Sequence, residues 1–300
     1  MPYSWSPARE TFEITMLPNA LTKVTTHPAP AMNAEVVTNL PAALSRQGIK
    51  HLLLDWDGCM TRVSGAWHAL IALEALKHSD TFQEHASATL QEGIQAYEGP
   101  GHGIDWFALF EQNLLRPKLA HCHDHCSVVE RCMQDLSKNL ASVAQSFASG
   151  ELGDGLPIFP QPGVTRFLAE ALNQGVGRSV ISMTPTVVVR ALAARAGLSE
   201  LITDYFGCDY FTEFPEGKLD PALWRYAAQL SGCSISEAAI VEDSPRSLRG
   251  AVQSGSPLIV AMQDEIDDLT FLRVPGTEIW STKTIGDLGT IERFDHWLYY

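Results

Sequence analysis

Asp55 and Asp57 stand two residues apart at the end of the apolar run Leu52-Leu53-Leu54, with Trp56 between them and Gly58 after them. Successive side chains of a strand alternate faces and the turn after it re-aims the third, so this spacing can bring two carboxylates to one strand end. Two acids held together are costly unless a cation is shared. Ser182 closes a second apolar run and the pair Glu242-Asp243 a third. Lys218, after Glu216-Gly217 at the start of a helical unit, can neutralise charge. An acid pair that merely caps the next segment is the structural alternative. The company of a serine, a lysine and a second acid pair favours catalysis.

The elements that must position these groups follow from the hydrophobic pattern. Residues 50–55 read as a short buried strand. Helical patterns cover residues 66–78, 81–97, 104–115 and 119–147, interrupted at Glu98-Gly99-Pro100-Gly101 and Arg116-Pro117. Beyond Gly155 strands alternate with helices, with strands at 177–182, 205–211, 238–242 and 257–261 and helices at 163–174, 186–196, 221–231 and 245–254. That alternation predicts an open parallel α/β sheet with ligands at the carboxyl ends of its strands. The first strand joins the sheet across an all-helical insert. The expected division is an extension over 1–48, an α/β core over 49–62 and 151–300, and a helical unit over 63–150. The extension holds six prolines and reads as irregular, with a short helix near 43–47; the tail adds a strand at 278–281 and a helix near 285–291.

In order and spacing these motifs resemble those of the haloacid dehalogenase-like hydrolases, over about residues 50–262. The four are Leu52-Leu-Leu-Asp-Trp-Asp-Gly58, Val180-Ile-Ser182, Gly217-Lys218 and Ile240-Val-Glu-Asp-Ser-Pro245. The resemblance implies a Rossmann-like open parallel sheet core with an inserted helical cap, in the branch of phosphatases and β-phosphoglucomutases. It implies Asp55 as nucleophile on phosphorus and Asp57 as general acid and base, with Ser182 and Lys218 stabilising the transferring phosphoryl group. Gly58 and Met183 would border that group. It also implies Mg²⁺ on Asp55, the Asp57 backbone carbonyl, Asp243 and Glu242, a hard ion on oxygen ligands. An acid at position 57 sets the chain apart from dehalogenases and phosphonate hydrolases of the family, which lack it.

Several positions depart from the family pattern. Cys59, Arg62 and Met183 replace commoner residues, so the leaving-group pocket is expected to be unusual. Arg62, Trp67 and His68 are candidates for specificity, although Trp67 can equally anchor the first helix of the insert. The segment His121-Cys-His-Asp-His-Cys126 has only possible metal ligands. Yet Cys122, Cys126, Val129, Met133, Leu136, Leu140 and Val143 recur at spacings of 4 and 3, which predicts a helix stripe in a core, with His121 and His125 beside it.

Composition narrows the rest. A formal charge of −14, from 35 acids and 21 bases, argues against a nucleic-acid partner. No run of 18 apolar residues and no basic-then-apolar leader is present, and six scattered cysteines do not form a disulfide framework, so the expectation is a cytoplasmic protein that does not meet membranes. The expected activity is Mg²⁺-dependent hydrolysis of a small phosphorylated metabolite by a monomer or homodimer. A sugar-phosphate mutase and a non-catalytic binding protein on the same fold are the alternatives.

Overall fold

In the first 48 residues the chain forms β1 (Phe12–Thr15) antiparallel to β2 (Lys23–Thr26), then β3 (Glu35–Val37), which runs antiparallel to β10 (Ile291–Arg293). The irregular extension expected there thus contains three strands: runs such as Phe-Glu-Ile-Thr alternate over only four residues, too few to register as a sustained period. The computed structural model describes residues 48–61, 65–99, 105–153, 158–161 and 163–262, Leu44, and the strands at 12–15, 23–26, 35–37, 278–282 and 291–293. The short helix expected at 43–47 lies, Leu44 apart, outside the described residues. So does the helix expected at 285–291, except for Ile291 in β10.

The core is an open six-stranded sheet of β4 (His51–Leu54), β5 (Gly177–Ile181), β6 (Asp204–Phe206), β7 (Ala238–Glu242), β8 (Leu258–Met262) and β9 (Glu278–Thr282). Its order is β6-β5-β4-β7-β8-β9 and every pairing is parallel, the Rossmann-like α/β arrangement. The pleat sorts the strands' apolar residues. Leu52, Leu54, Val180, Val241 and Val260 belong to one core cluster, and Leu53, Ile181, Ile240 and Ile259 to the other. Each such side chain, fully buried, contributes roughly 1.5–3 kcal/mol.

Between β4 and β5 the chain forms α1 (Gly65–Lys77), α2 (Asp80–His85), α3 (Leu90–Tyr97), α4 (Trp106–Phe110), α5 (Arg116–Leu119), α6 (His125–Ser149) and α7 (Val164–Asn173). The later crossovers are α8 (Thr186–Arg195), α9 (Pro221–Leu230) and α10 (Pro245–Gln253). The single helix expected over 81–97 is two, because Ser79 caps α2 and a Thr89–Glu92 capping box starts α3 afresh. Conversely, Arg116-Pro117 does not break its helix. The π-helical turn Glu111–Leu115 joins α4 to α5 and accommodates a residue with no N–H to donate. The strand expected over 205–211 ends at Phe206 and passes into a 3₁₀ turn, Cys208–Tyr210.

The cysteine stripe is corrected in part. The helix starts only at His125, so Cys122 precedes it, half-buried, and Cys126 is exposed in its first turn. Val129, Leu136, Leu140 and Val143 are buried as expected, together with Cys132 and Phe147.

Candidate active site

Strand β4 lies between β5 and β7, so chain connections leave it on both sides and a crevice opens beyond its carboxyl end. Asp55 follows β4 there, its backbone N–H donating to the Val241 carbonyl at 2.9 Å. Ser182 follows β5 and Asp243 follows β7. A cavity of about 440 Å³ at this edge is bordered by Asp55, Asp57, Ser182, Met183, Lys218, Glu242 and Asp243. The insert adds Tyr97, Glu98, Trp106 and Leu109 to its wall.

Lys218 is the electrostatic centre of the group. Its ammonium, buried with the rest of the residue, donates to Asp55 Oδ1 and, at 2.8 Å, to Glu242 Oε2. Burial alone would lower its pKa, but the two flanking carboxylates more than reverse this and keep it charged. Two further contacts fix the lysine's loop: the Trp224 indole N–H donates to the Lys218 carbonyl at 2.9 Å, and its ring lies 5.4 Å below Nζ. The other oxygen of Glu242 accepts from the backbone N–H groups of Asp243 (3.2 Å) and Ser244 (3.0 Å). Glu242 therefore braces the loop and the lysine.

The ligand atoms of Asp55, Cys59 and Asp243 lie within 4.8 Å of one another. Burial, then repulsion from Glu242, pushes Asp55 up to about 7; burial, then Asp55, pushes Asp243 up to about 10. Two carboxylates that resist ionising together fit a divalent cation, which would relieve both effects. Cys59 is the soft member of the trio, and burial holds its thiol well above the ordinary range, so it stays a neutral wall. Gly58 lies against Asp243. At φ +82°, a Cβ here would lie 1.9 Å from Asp243 Oδ2, so only glycine admits that carboxylate. Gly58 does not border the cavity; its carbonyl accepts from the Gln161 amide.

Asp57 points toward the insert. His68 Nε2 lies 3.1 Å from both its oxygens, and the Tyr97 hydroxyl donates to Oδ2 at 3.0 Å. The His68 and Tyr97 rings stack in parallel, 4.1 Å between centroids. Trp67, the adjacent candidate, instead packs on Phe147 at 5.5 Å and anchors α1. Arg62 lies outside the described residues. Ser182 is buried, its Oγ accepting from the Thr184 N–H at 3.1 Å. The Met183 carbonyl accepts from the Trp106 backbone N–H at 3.0 Å, which ties α4 to the rim of the sheet. Neither Tyr97 nor Trp106 stands out in the sequence, because at a helix end and in an apolar turn each reads as a core position.

An open parallel sheet with this acid-rich edge defines an α/β enzyme core, and the comparisons say which. The sequence model of the haloacid dehalogenase-like hydrolases matches residues 49–255, and the chain belongs to that family. Among solved structures it is similar to a predicted phosphoglycolate phosphatase from Haemophilus somnus 129PT, at 16% identity and TM-score 0.54 over 80% of this chain and 96% of that one. The β-phosphoglucomutase of Clostridium difficile is similar at 12% identity and TM-score 0.51, over 80% and 93%. At these identities the likeness is one of fold. Comparison with curated proteins gives no significant match. No helix among the described residues is long and apolar enough to cross a membrane.

Proposed function

We propose that the protein is a Mg²⁺-dependent phosphatase acting on a small phosphorylated metabolite, with Asp55 as nucleophile. The observation that carries this reading is the convergence of Asp55, Ser182, Lys218 and Asp243 on one cavity from separate strand ends and loops. Asp55 attacks phosphorus, the aspartyl-phosphate bond forms, and the ester P–O bond breaks. Asp57 gives its proton to the departing oxygen and takes one from the water that then releases phosphate. Lys218 holds Asp55 in place and, with the Ser182 hydroxyl, faces the negative charge of the transferring group. Asp55 and Asp243 would hold Mg²⁺, helped by the Asp57 carbonyl and by Glu242 directly or through water, and the ion would supply further charge neutralisation. Asp57 supports ester hydrolysis in particular, since an alkoxide leaving group needs a proton and a halide does not.

The test is phosphate release from a panel of phosphorylated metabolites, for wild type and Asp55→Asn, with Mg²⁺ and with chelator. Turnover by wild type alone, lost at least about 10³-fold in the variant and abolished by chelation, is expected. Isomer formation without net phosphate release would identify a mutase instead. Equal phosphate release by the variant would remove Asp55 from the mechanism.

A further inference from the structure

We propose that His68 and Tyr97 are positioning residues that together aim the Asp57 carboxyl group at the leaving oxygen, so that the helical insert, and not the sheet, sets the direction of proton delivery. The inference rests on the phosphatase reading. Its grounds are the contacts of Asp57 itself. Asp57 lies on the sheet side of the site, directly after β4 and Trp56, while His68 belongs to α1 and Tyr97 ends α3. Both partners are almost wholly buried, at 1% and 4% exposure, whereas the Asp57 side chain keeps 14% and reaches the cavity. The two rings lie within 5° of parallel, so neither can swing without displacing the other.

Which ring nitrogen of His68 carries its hydrogen follows from what the second nitrogen lacks. Nδ1 is buried with no hydrogen-bond partner among the described residues. An N–H left unpaired in a buried site is costlier than an unpaired ring lone pair, so the proton sits on Nε2 and points at Asp57. Asp57 therefore accepts from both His68 and Tyr97, and two donors fix the plane of its carboxyl group. Ordinary packing would satisfy a tyrosine hydroxyl and a histidine with any nearby carbonyl. Here both converge on the one acid that the reaction uses to move a proton.

The experiment uses two esters that differ in their need for that proton. Glycerol 2-phosphate must leave as an alkoxide or be protonated; p-nitrophenyl phosphate leaves as a stable phenolate. In Tyr97→Phe and His68→Leu the ratio of kcat/KM for glycerol 2-phosphate to that for p-nitrophenyl phosphate is expected to fall on the order of tenfold, a part of the usual general-acid effect. His68→Gln, which keeps a side-chain N–H donor, is expected to recover most of the ratio. An equal loss on both esters, or no loss, overturns the proposal. If wild type turns over neither ester, the clamp is judged by urea midpoints of Tyr97→Phe, Asp57→Asn and the double variant. Additive shifts then overturn it, and non-additive shifts sustain the contact. If wild type also releases no phosphate from the metabolite panel, the phosphatase reading falls.

Discussion

Loss of Lys218 is expected to be costly for reasons of charge. Lys218 is the buried cation facing Asp55 and Glu242, and without it both carboxylates keep their burial and lose their counter-charge. Lys218→Met is expected to lower stability by about 3–5 kcal/mol in urea denaturation without divalent ions, a cost typical of breaking a buried ion pair. Lys218→Arg would not restore the site, since a planar fork cannot take the place of a point charge between two close carboxylates. His51 makes a separate, pH-dependent prediction. Its Nε2 lies 2.7 Å from Ser179 Oγ inside the sheet, and burial lowers its pKa to about 4. The fold thus favours neutral His51. This contribution is complete above about pH 6.5 and is lost as pH falls toward 4, a total of about 3 kcal/mol. Urea midpoints of wild type and His51→Asn between pH 7.5 and 4.5 check it: the wild-type midpoint should fall more steeply.

At the scale of elements, the seat of Lys218 depends on how closely α10 approaches its loop. A Cβ on Gly250 would lie 2.2 Å from the Lys218 carbonyl oxygen and 2.6 Å from that of Leu219. Both are backbone atoms and cannot swing aside. Gly250→Ala is therefore expected to destabilise by about 1–3 kcal/mol and to displace Lys218, read as a lower urea midpoint together with a lower kcat. The sequence made the strand ends legible because short apolar runs ending in Asp55, Ser182 and Glu242-Asp243 carry their signal locally. The parallel sheet was legible for the same reason, through the alternation of strands and helices after Gly155. Gly250 was not legible, since a glycine inside a helix pattern does not say which backbone it must clear. Nor were the breaks of the insert: Arg116-Pro117 reads as a stop until a π turn absorbs it, and Ala86–Ala88 carries no glycine or proline to mark one. Tyr97 and Trp106 meet the site only through tertiary packing, which no local period encodes.

Taken whole, the molecule fastens its insert to the sheet layer at a point remote from the cavity. Arg195, at the end of α8, donates to the carbonyls of Phe147 (3.2 Å) and Gly153 (3.1 Å) and lies 5.1 Å above the Phe147 ring. Arg195→Ala is expected to cost about 1–2 kcal/mol, from a cation over a ring and donors at a helix end, and a lower urea midpoint checks it. The place of β4 inside the sheet has a consequence for motion as well. Its amide hydrogens are shielded by a parallel neighbour on each side and by apolar clusters on both faces. Such hydrogens exchange with solvent deuterium only when the whole domain opens, while amides of the edge strand β9 can exchange through local fraying. Deuterium uptake at Leu52–Leu54 should thus be the slowest in the chain and track global stability. Asp55, directly after β4, would then keep its place through every partial opening short of unfolding.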